Sequence, residues 1–106
     1  MSHDISLIDT TASGQEIEVF ESNFTYNYTP ALSEAGFTWA DCDGKTGHEL
    51  YAKIRRAADV IAHDPEKFRP LIGGGGDWGT PELLIPRLYA LADACEKHHA
   101  AKFERY

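Results

Sequence analysis

Two Asn-x-Thr patterns lie four residues apart in the segment SNFTYNYTP, which covers residues 22–30. Asn23 and Asn27 would accept sugars in an exported protein. The first residues, MSHDISLIDTT, contain an acid and lack the basic cluster and apolar run of a secretory signal, so we expect a cytoplasmic protein without glycans. Two uses then remain for Asn23, Thr25 and Asn27: binding a planar polar ligand such as a nucleobase, or bracing a bend through bonds to nearby backbone. We favour bracing, because local bonds of this kind are common for Asn and Thr.

The glycine-rich segment GGGGDWGTPE (73–82) is a second candidate for ligand binding, because it precedes a predicted helix whose first N–H groups would favour an anion. However, no Lys follows the glycines, and Asp77 and Glu82 place negative charge where a phosphate would sit. Two interpretations stay open: Trp78 pins the loop to the core, or the loop presents Trp78 to a partner. The ligand site predicted from both segments consists of Asn23, Thr25, Asn27, Gly76, Asp77 and Trp78.

The sequence contains no recognisable catalytic set. The patterns G-x-S-x-G and H-E-x-x-H are absent, and Glu82 or the neighbours His48 and Glu49 do not form a coherent acid, base and nucleophile. The histidines show no paired ligand spacing, so we predict neither a metal nor another cofactor. Cys95 lies in an apolar helical pattern, and Cys42 is flanked by acids that raise the pKa of a thiol. A binding protein is therefore favoured over an enzyme.

Composition bounds the class of protein and its partners. A chain of 106 residues with 42% hydrophobic and 25% charged residues fits a single domain, 1–106, with one modest core. Its 17 acids and 10 bases give a formal charge of −7, which disfavours direct binding of nucleic acid. The same charge suits a basic partner, such as a nucleic-acid-binding protein, although keeping the chain soluble is a simpler use. No apolar run approaches the ~20 residues of a membrane-spanning helix.

Two short β-rich runs, ISLID (5–9) and EIEVF (16–20), are separated by TTASGQ and predict a hairpin. If the second strand continues, alternate side chains share a face, with Asn23, Thr25 and Asn27 on one side. The other face would carry a row of rings, formed by Phe20, Phe24, Tyr26 and Tyr28. The apolar face changes sides near residues 21–23, which predicts a bulge or bend there. The C-terminal segment AKFERY is consistent with a third strand on the hairpin edge.

Thr-Pro pairs mark two helix starts. Thr29 is predicted to cap a short helix that ends at Gly36, and Thr80 is predicted to cap the last helix. Pro86 predicts a kink in that last helix or a late start near residue 85. Asp64 is predicted to cap a turn after the middle helix, which covers residues 48–63.

The two longer helices each carry one apolar stripe with steps of four, three and four residues. The stripes consist of Leu50, Ile54, Ala57 and Ile61, and of Leu84, Leu88, Leu91 and Cys95. Each stripe needs a cover, and packing both helices on one face of a small antiparallel sheet provides it. The sequence therefore predicts an α+β fold, with an N-terminal hairpin, a C-terminal strand and two main amphipathic helices.

Five segments, EIEVFESNFTYNY, AGF, DPEKF, DWGTPEL and LADACE, occur in an order and spacing that resembles a widespread family of small bacteriophage and bacterial proteins without an assigned activity. The chain departs from that pattern at Tyr26, where His is usual, at GGGGDWG, where Asn-Gly-Trp-Gly is usual, and at Pro86. If a His at that position has a chemical role, Tyr26 removes it. The resemblance implies a mobile-element accessory protein and indicates no substrate.

Together these features predict a non-enzymatic acidic binding protein of phage or mobile-element type, which occupies a host protein and inhibits a host defence function. Its predicted partner-binding residues are Phe24, Tyr26, Tyr28, Trp39, Asp41 and Asp43. The alternative is a binding protein or sponge for a small, nucleotide-like ligand. A homodimer that pairs the row of rings across a two-fold axis is a further expectation.

Overall fold

The computed structural model describes residues 2–73 and 79–106, and in this part of the chain an antiparallel sheet packs against α-helices. The strands, in the spatial order β2-β1-β3, are β1 (Ser2–Thr10), β2 (Glu16–Thr25) and β3 (Lys102–Arg105). The helices are α1 (Thr29–Glu34), α2 (Gly47–His63), α3 (Pro65–Phe68) and α4 (Pro81–Lys97). Short 3-10 turns occupy Tyr26–Tyr28, Trp39–Cys42 and Arg69–Leu71. The predicted α+β class is confirmed.

The predicted hairpin forms, with longer strands than the sequence pattern indicated. β1 pairs with β2 from Ser2 opposite Thr25 to Thr10 opposite Glu16. β3 pairs antiparallel with the other edge of β1, which confirms the predicted third strand. β1 is therefore the central strand, and its alternation determines what lies on each face of the sheet.

A bulge interrupts β2 at Val19, which is three residues closer to the turn than the centre of the predicted range. Leu7 is opposite Phe20, whereas Ile8 is opposite Glu18, so Val19 is the extra residue. The strand passes residues 21–23 in regular register, and the prediction of a bulge there is wrong. The apolar residues of β2 do move from odd-numbered positions, such as Ile17, to even-numbered positions, such as Phe20. The polar residues after position 20 hid the place of this change in the sequence.

The row of rings that the sequence predicted does not form, because β2 ends at Thr25. The Thr25 hydroxyl accepts a bond from the backbone N–H of Asn27 at 3.4 Å, and residues 26–28 turn instead of extending. A hydroxyl that bonds the backbone two residues ahead competes with continued strand pairing. Phe24 and Tyr28 are buried, while Tyr26 is 40% exposed.

The start of α1 differs from the prediction, and its end agrees. Thr29 is the first residue of the helix, not its cap, because the 3-10 turn of 26–28 runs directly into it. Gly36 adopts a φ of +81°, and the N–H of Phe37 bonds the carbonyl of Leu32 at 2.9 Å. This is the left-handed helix ending for which Gly is suited, as predicted.

The two main helices bury the stripes that the sequence predicted. The backbone N–H of Thr46 donates to Glu49 Oε1 at 3.1 Å, which forms a capping box that the sequence analysis did not identify. The Asp64 side chain caps α3, accepting a bond from the N–H of Lys67 at 3.4 Å, as predicted.

α4 begins at Pro81, capped by the Thr80 hydroxyl at 3.2 Å from the N–H of Leu83, and continues to Lys97. The prediction from Pro86 of a late helix start near residue 85 is wrong. Pro86 lies in the second turn, where its missing N–H removes the bond to the carbonyl of Glu82. Both residues are exposed, so that carbonyl lies on the solvent side of the helix. None of the helices within residues 2–73 and 79–106 combines the length and apolar character required to cross a bilayer.

Gly47 is where α2 meets the end of α4. Its N–H donates to the carbonyl of Ala101 at 2.8 Å. The neighbouring N–H of His48 donates to the carbonyl of His99 at 3.0 Å. A Cβ at position 47 would collide with the carbonyl oxygens of Cys95 and His98. Close backbone approach therefore joins the start of α2 to the segment between α4 and β3.

We expect Gly47→Ala to lower the free energy of unfolding by about 2–3 kcal/mol, because backbone atoms must move to admit the methyl group. Gly73→Ala is the matched control, since a Cβ there comes no closer than 3.7 Å to Asn27 Oδ1. Urea unfolding of both variants measures the difference. Equal stability of the two variants would contradict the close packing of α2 on the end of α4.

Candidate functional site on the open face of the sheet

The register of β1 separates two kinds of surface. Ile5 and Leu7 are fully buried on the side of the helices, so Asp4, Ser6 and Ile8 belong to the opposite face. Directly paired residues lie on the same face of a sheet. The open face therefore carries Asn23, Glu21 and Glu18 from β2 opposite those three residues, and Glu104 and Lys102 from β3 opposite Ser6 and Ile8.

Four carboxylates converge on this face, and all four residues are exposed: Asp4, Glu18, Glu21 and Glu104. Lys102 is the one basic residue that the register places beside them on the three described strands. We call this surface the acidic face. A share of the net charge of −7 is thus gathered on one side of the sheet.

Hydrogen bonds hold several of these groups in place. Ser6 Oγ donates to Glu18 Oε2 at 2.7 Å, and Asn23 Nδ2 donates to Asp4 Oδ1 at 2.7 Å. The Tyr106 hydroxyl donates to Glu104 Oε2 at 2.9 Å, and this bond to a carboxylate raises the pKa of Tyr106. The side-chain donors of Ser6, Asn23 and Tyr106 thus bond within the face, while each carboxylate keeps further acceptor capacity toward solvent.

A cleft of about 410 Å³ lies on the acidic face and is lined by Asp4, Ile5, Ser6, Glu18, Glu21, Ser22, Asn23 and Tyr106. None of the described residues that line it is basic. Ammonium and guanidinium groups are the natural complements of such a surface, and guanidinium matches a carboxylate with two parallel bonds. The cleft is therefore suited to Lys and Arg side chains of a partner.

The residues predicted as a ligand site do not form one row. Asn23 lies on the acidic face and bonds Ser2 Oγ at 2.8 Å as well as Asp4, so it braces β1 against β2 and not the bend that was predicted. The Thr25 hydroxyl accepts a bond from the N–H of Asn27 at the start of the turn. Asn27 lies beside Gly73, and the ring of Tyr28 packs on Gly79. Gly76, Asp77 and Trp78 lie outside the described residues.

Three of the predicted partner-binding rings are packed inside the domain. Trp39 is 3% exposed, and its ring centroid lies 4.9 Å from that of Phe24 and 6.0 Å from that of Phe103. Tyr28 is also buried, so these three rings contribute to the core and do not form a contact surface. Tyr26 is the exception, and its ring lies 4.3 Å from that of His3.

The predicted acidic residues have different surroundings. Both are exposed, but Asp43 Oδ2 accepts a bond from Arg105 Nη2 at 2.8 Å. The carboxylates of the acidic face were not identified from the sequence. The signal available was the presence of acids at Glu16, Glu18 and Glu21 on a predicted strand, but their grouping with Asp4 depends on the register.

The burial of Phe24 and Tyr28 also removes the aromatic row on which the predicted homodimer was based. β2 is an edge strand that carries Glu16, Glu18 and Glu21. Pairing two copies of this edge would bring like charges together, which is a common means of protecting an edge from self-association.

The described residues offer little for chemistry that involves metals. No group of three His, Cys, Asp or Glu residues in the part of the chain that the structure describes is arranged to hold a metal ion.

No protein-family model, curated protein or solved structure matches the chain.

Both thiols are buried, and burial raises the pKa of Cys42 and Cys95 to about 12. Asp41 and Asp43 add to the effect on Cys42, while Lys53 opposes it. The direction predicted for Cys42 is confirmed, although burial and not the adjacent acids is the main cause. Neither thiol provides a thiolate near neutral pH in the folded protein.

We expect a chromogenic disulfide reagent to leave both thiols unmodified in the folded protein at neutral pH, and to modify both rapidly in concentrated guanidinium chloride. Because the pKa of each thiol in the folded protein lies above the ordinary value of about 9, the buried neutral thiols stabilise the fold fully below pH 9. This stabilisation is lost as the pH rises from 9 toward 12, where the unfolded chain ionises its thiols more readily than the folded one. Prompt modification of one thiol without denaturant would contradict the burial of that side chain.

Proposed function

We propose that this chain is a non-enzymatic binding protein of phage or mobile-element type, which occupies a basic surface of a host protein with its acidic face. The observation that carries the proposal is the grouping of Asp4, Glu18, Glu21 and Glu104 on one exposed side of the sheet. The sequence resemblance to phage and bacterial proteins supports the mobile-element setting, and the absence of a secretory signal pattern in the first residues supports a cytoplasmic location.

Electrostatic complementarity provides the physical basis of this binding. Facing potentials of opposite sign accelerate encounter and select the partner. Exposed charges are screened within about 8 Å at physiological ionic strength, so the affinity must fall as salt is added. A defence protein that binds nucleic acid has the required basic groove, and filling that groove with carboxylates would exclude its phosphate-bearing substrate.

Fixed geometry distinguishes the acidic face from a general surface charge. Its carboxylates come from all three strands, and hydrogen bonds from Ser6, Asn23 and Tyr106 restrain three of them. Side chains that are already ordered lose less conformational entropy on binding. The same negative charge repels phosphates, so this face is not a nucleic-acid site.

Binding of a small nucleotide-like ligand is the second proposed function, and one observation favours it. Asn27 lies beside Gly73 and Tyr28 lies against Gly79, so residues 27–28 lie close to the glycine-rich segment on both sides of its undescribed part. Native mass spectrometry of protein purified from its host tests this function. A retained small molecule that is lost in Asn27→Ala would support it, and a bare chain would contradict it.

We expect Glu18→Gln/Glu21→Gln to weaken binding to the host partner about tenfold, because two carboxylates of the acidic face lose their charge. The partner is first captured from host lysate at low salt, identified and purified. Calorimetric titration with the purified partner at two salt concentrations then gives the dissociation constants.

The matched control is Glu34→Gln/Asp93→Asn, which removes the same number of charges from α1 and α4 and leaves Arg55 its bond to Glu96. This control should bind within about twofold of the unchanged protein. Equal weakening in both double variants, or binding that resists high salt, would contradict docking through the acidic face.

A further inference from the structure

A second cavity, of about 230 Å³, lies on the helix side of the sheet. His3 from β1 and Arg105 from β3 form part of its wall. The rest comes from α1 and from residues 37–40. Because residues 3 and 105 have the opposite parity to Asp4 and Glu104, this cavity faces away from the acidic face.

Most of the exposed lining of this cavity is apolar. Leu32, Phe37 and Trp39 lie in the wall and are almost completely buried, so their positions are fixed by the core. The rings of Phe37 and Trp39 meet edge to face, with centroids 4.9 Å apart. Rigid aromatic walls of this kind favour a flat apolar group.

The polar groups of the cavity include one cation. Arg105 donates through Nη2 to Asp43, and a guanidinium has five N–H donors in total, so most of its donors have no partner among the described residues. Burial and the Arg105 charge lower the pKa of His3 against the opposing effect of Asp43, which favours the neutral imidazole. The Trp39 indole N–H is buried and has no acceptor among the described residues.

We propose that this cavity binds a small monocarboxylic acid with a flat apolar body, whose carboxylate pairs with Arg105 and whose body lies against Phe37 and Trp39. A planar carboxylate matches the guanidinium fork, and Asp43 already offsets part of the positive charge, so a monoanion fits better than a phosphate. The volume corresponds to about eight water molecules, which suits an aromatic acid with a short side chain. This site is independent of the acidic face.

Phenylacetate is the probe, and two-dimensional ¹H–¹⁵N NMR of the Trp39 indole N–H is the measurement. The chain has two tryptophans, so Trp78→Phe leaves Trp39 as the single indole signal. We expect a saturable shift of this signal with phenylacetate. With 2-phenylethanol, which has the same ring but no charge, binding should be at least about tenfold weaker.

Arg105→Gln should weaken phenylacetate binding about ten- to hundredfold, because a charged hydrogen bond is lost. Arg55→Gln is the matched control, since Arg55 is also a partly exposed arginine paired with carboxylates, and it should bind within about twofold of the unchanged protein. Asp43→Asn should strengthen binding several-fold, because it removes the carboxylate that competes for Arg105.

Three results would overturn the proposal: no saturable shift of the Trp39 signal, equal binding of the alcohol and the acid, or weaker binding in Asp43→Asn. Shifts confined to residues outside the cavity count as the first of these. If Arg105→Gln fails to fold, the comparison of acid with alcohol and the direction of the Asp43→Asn effect still decide the matter.

Discussion

The pairing of β1 between β2 and β3 determines both faces of this protein. Ile5 and Leu7 point toward the helices, and Asp4 and Ser6 point away from them. A slip of one residue would move carboxylates into the core and aliphatic side chains into water, at a cost that no local contact would offset. The bulge at Val19 lets the two parts of β2 keep their apolar side chains on the same side despite the change in parity.

The helices complete the domain from one side only. α2 and α4 pack closely, and Gly47 allows the start of α2 to approach the backbone that leads into β3. The apolar stripes are thereby buried, and the core reaches Trp39 and Phe103. The other side of the sheet stays exposed, which is why it can carry charge without the desolvation that a covered face would impose.

Two surfaces of different chemistry follow from the same alternation. Glu104 points to the acidic face, and its neighbour Arg105 points to the small cavity beside Trp39. One face is suited to cationic groups on a large partner, and the cavity is suited to a single small anion. They are separated by the thickness of the sheet, so each can be altered without removing the other.

The sequence by itself determined the features that depend on neighbouring residues: the hairpin, the two apolar stripes, the caps at Asp64 and Thr80, and the helix ending at Gly36. Each follows from backbone preferences or from periodicity within one element. Only the tertiary structure decided that Trp39 is buried and which acids share a face with Asp4. Those outcomes depend on cross-strand partners and on the side that the helices cover, and residues far apart in the chain supply both.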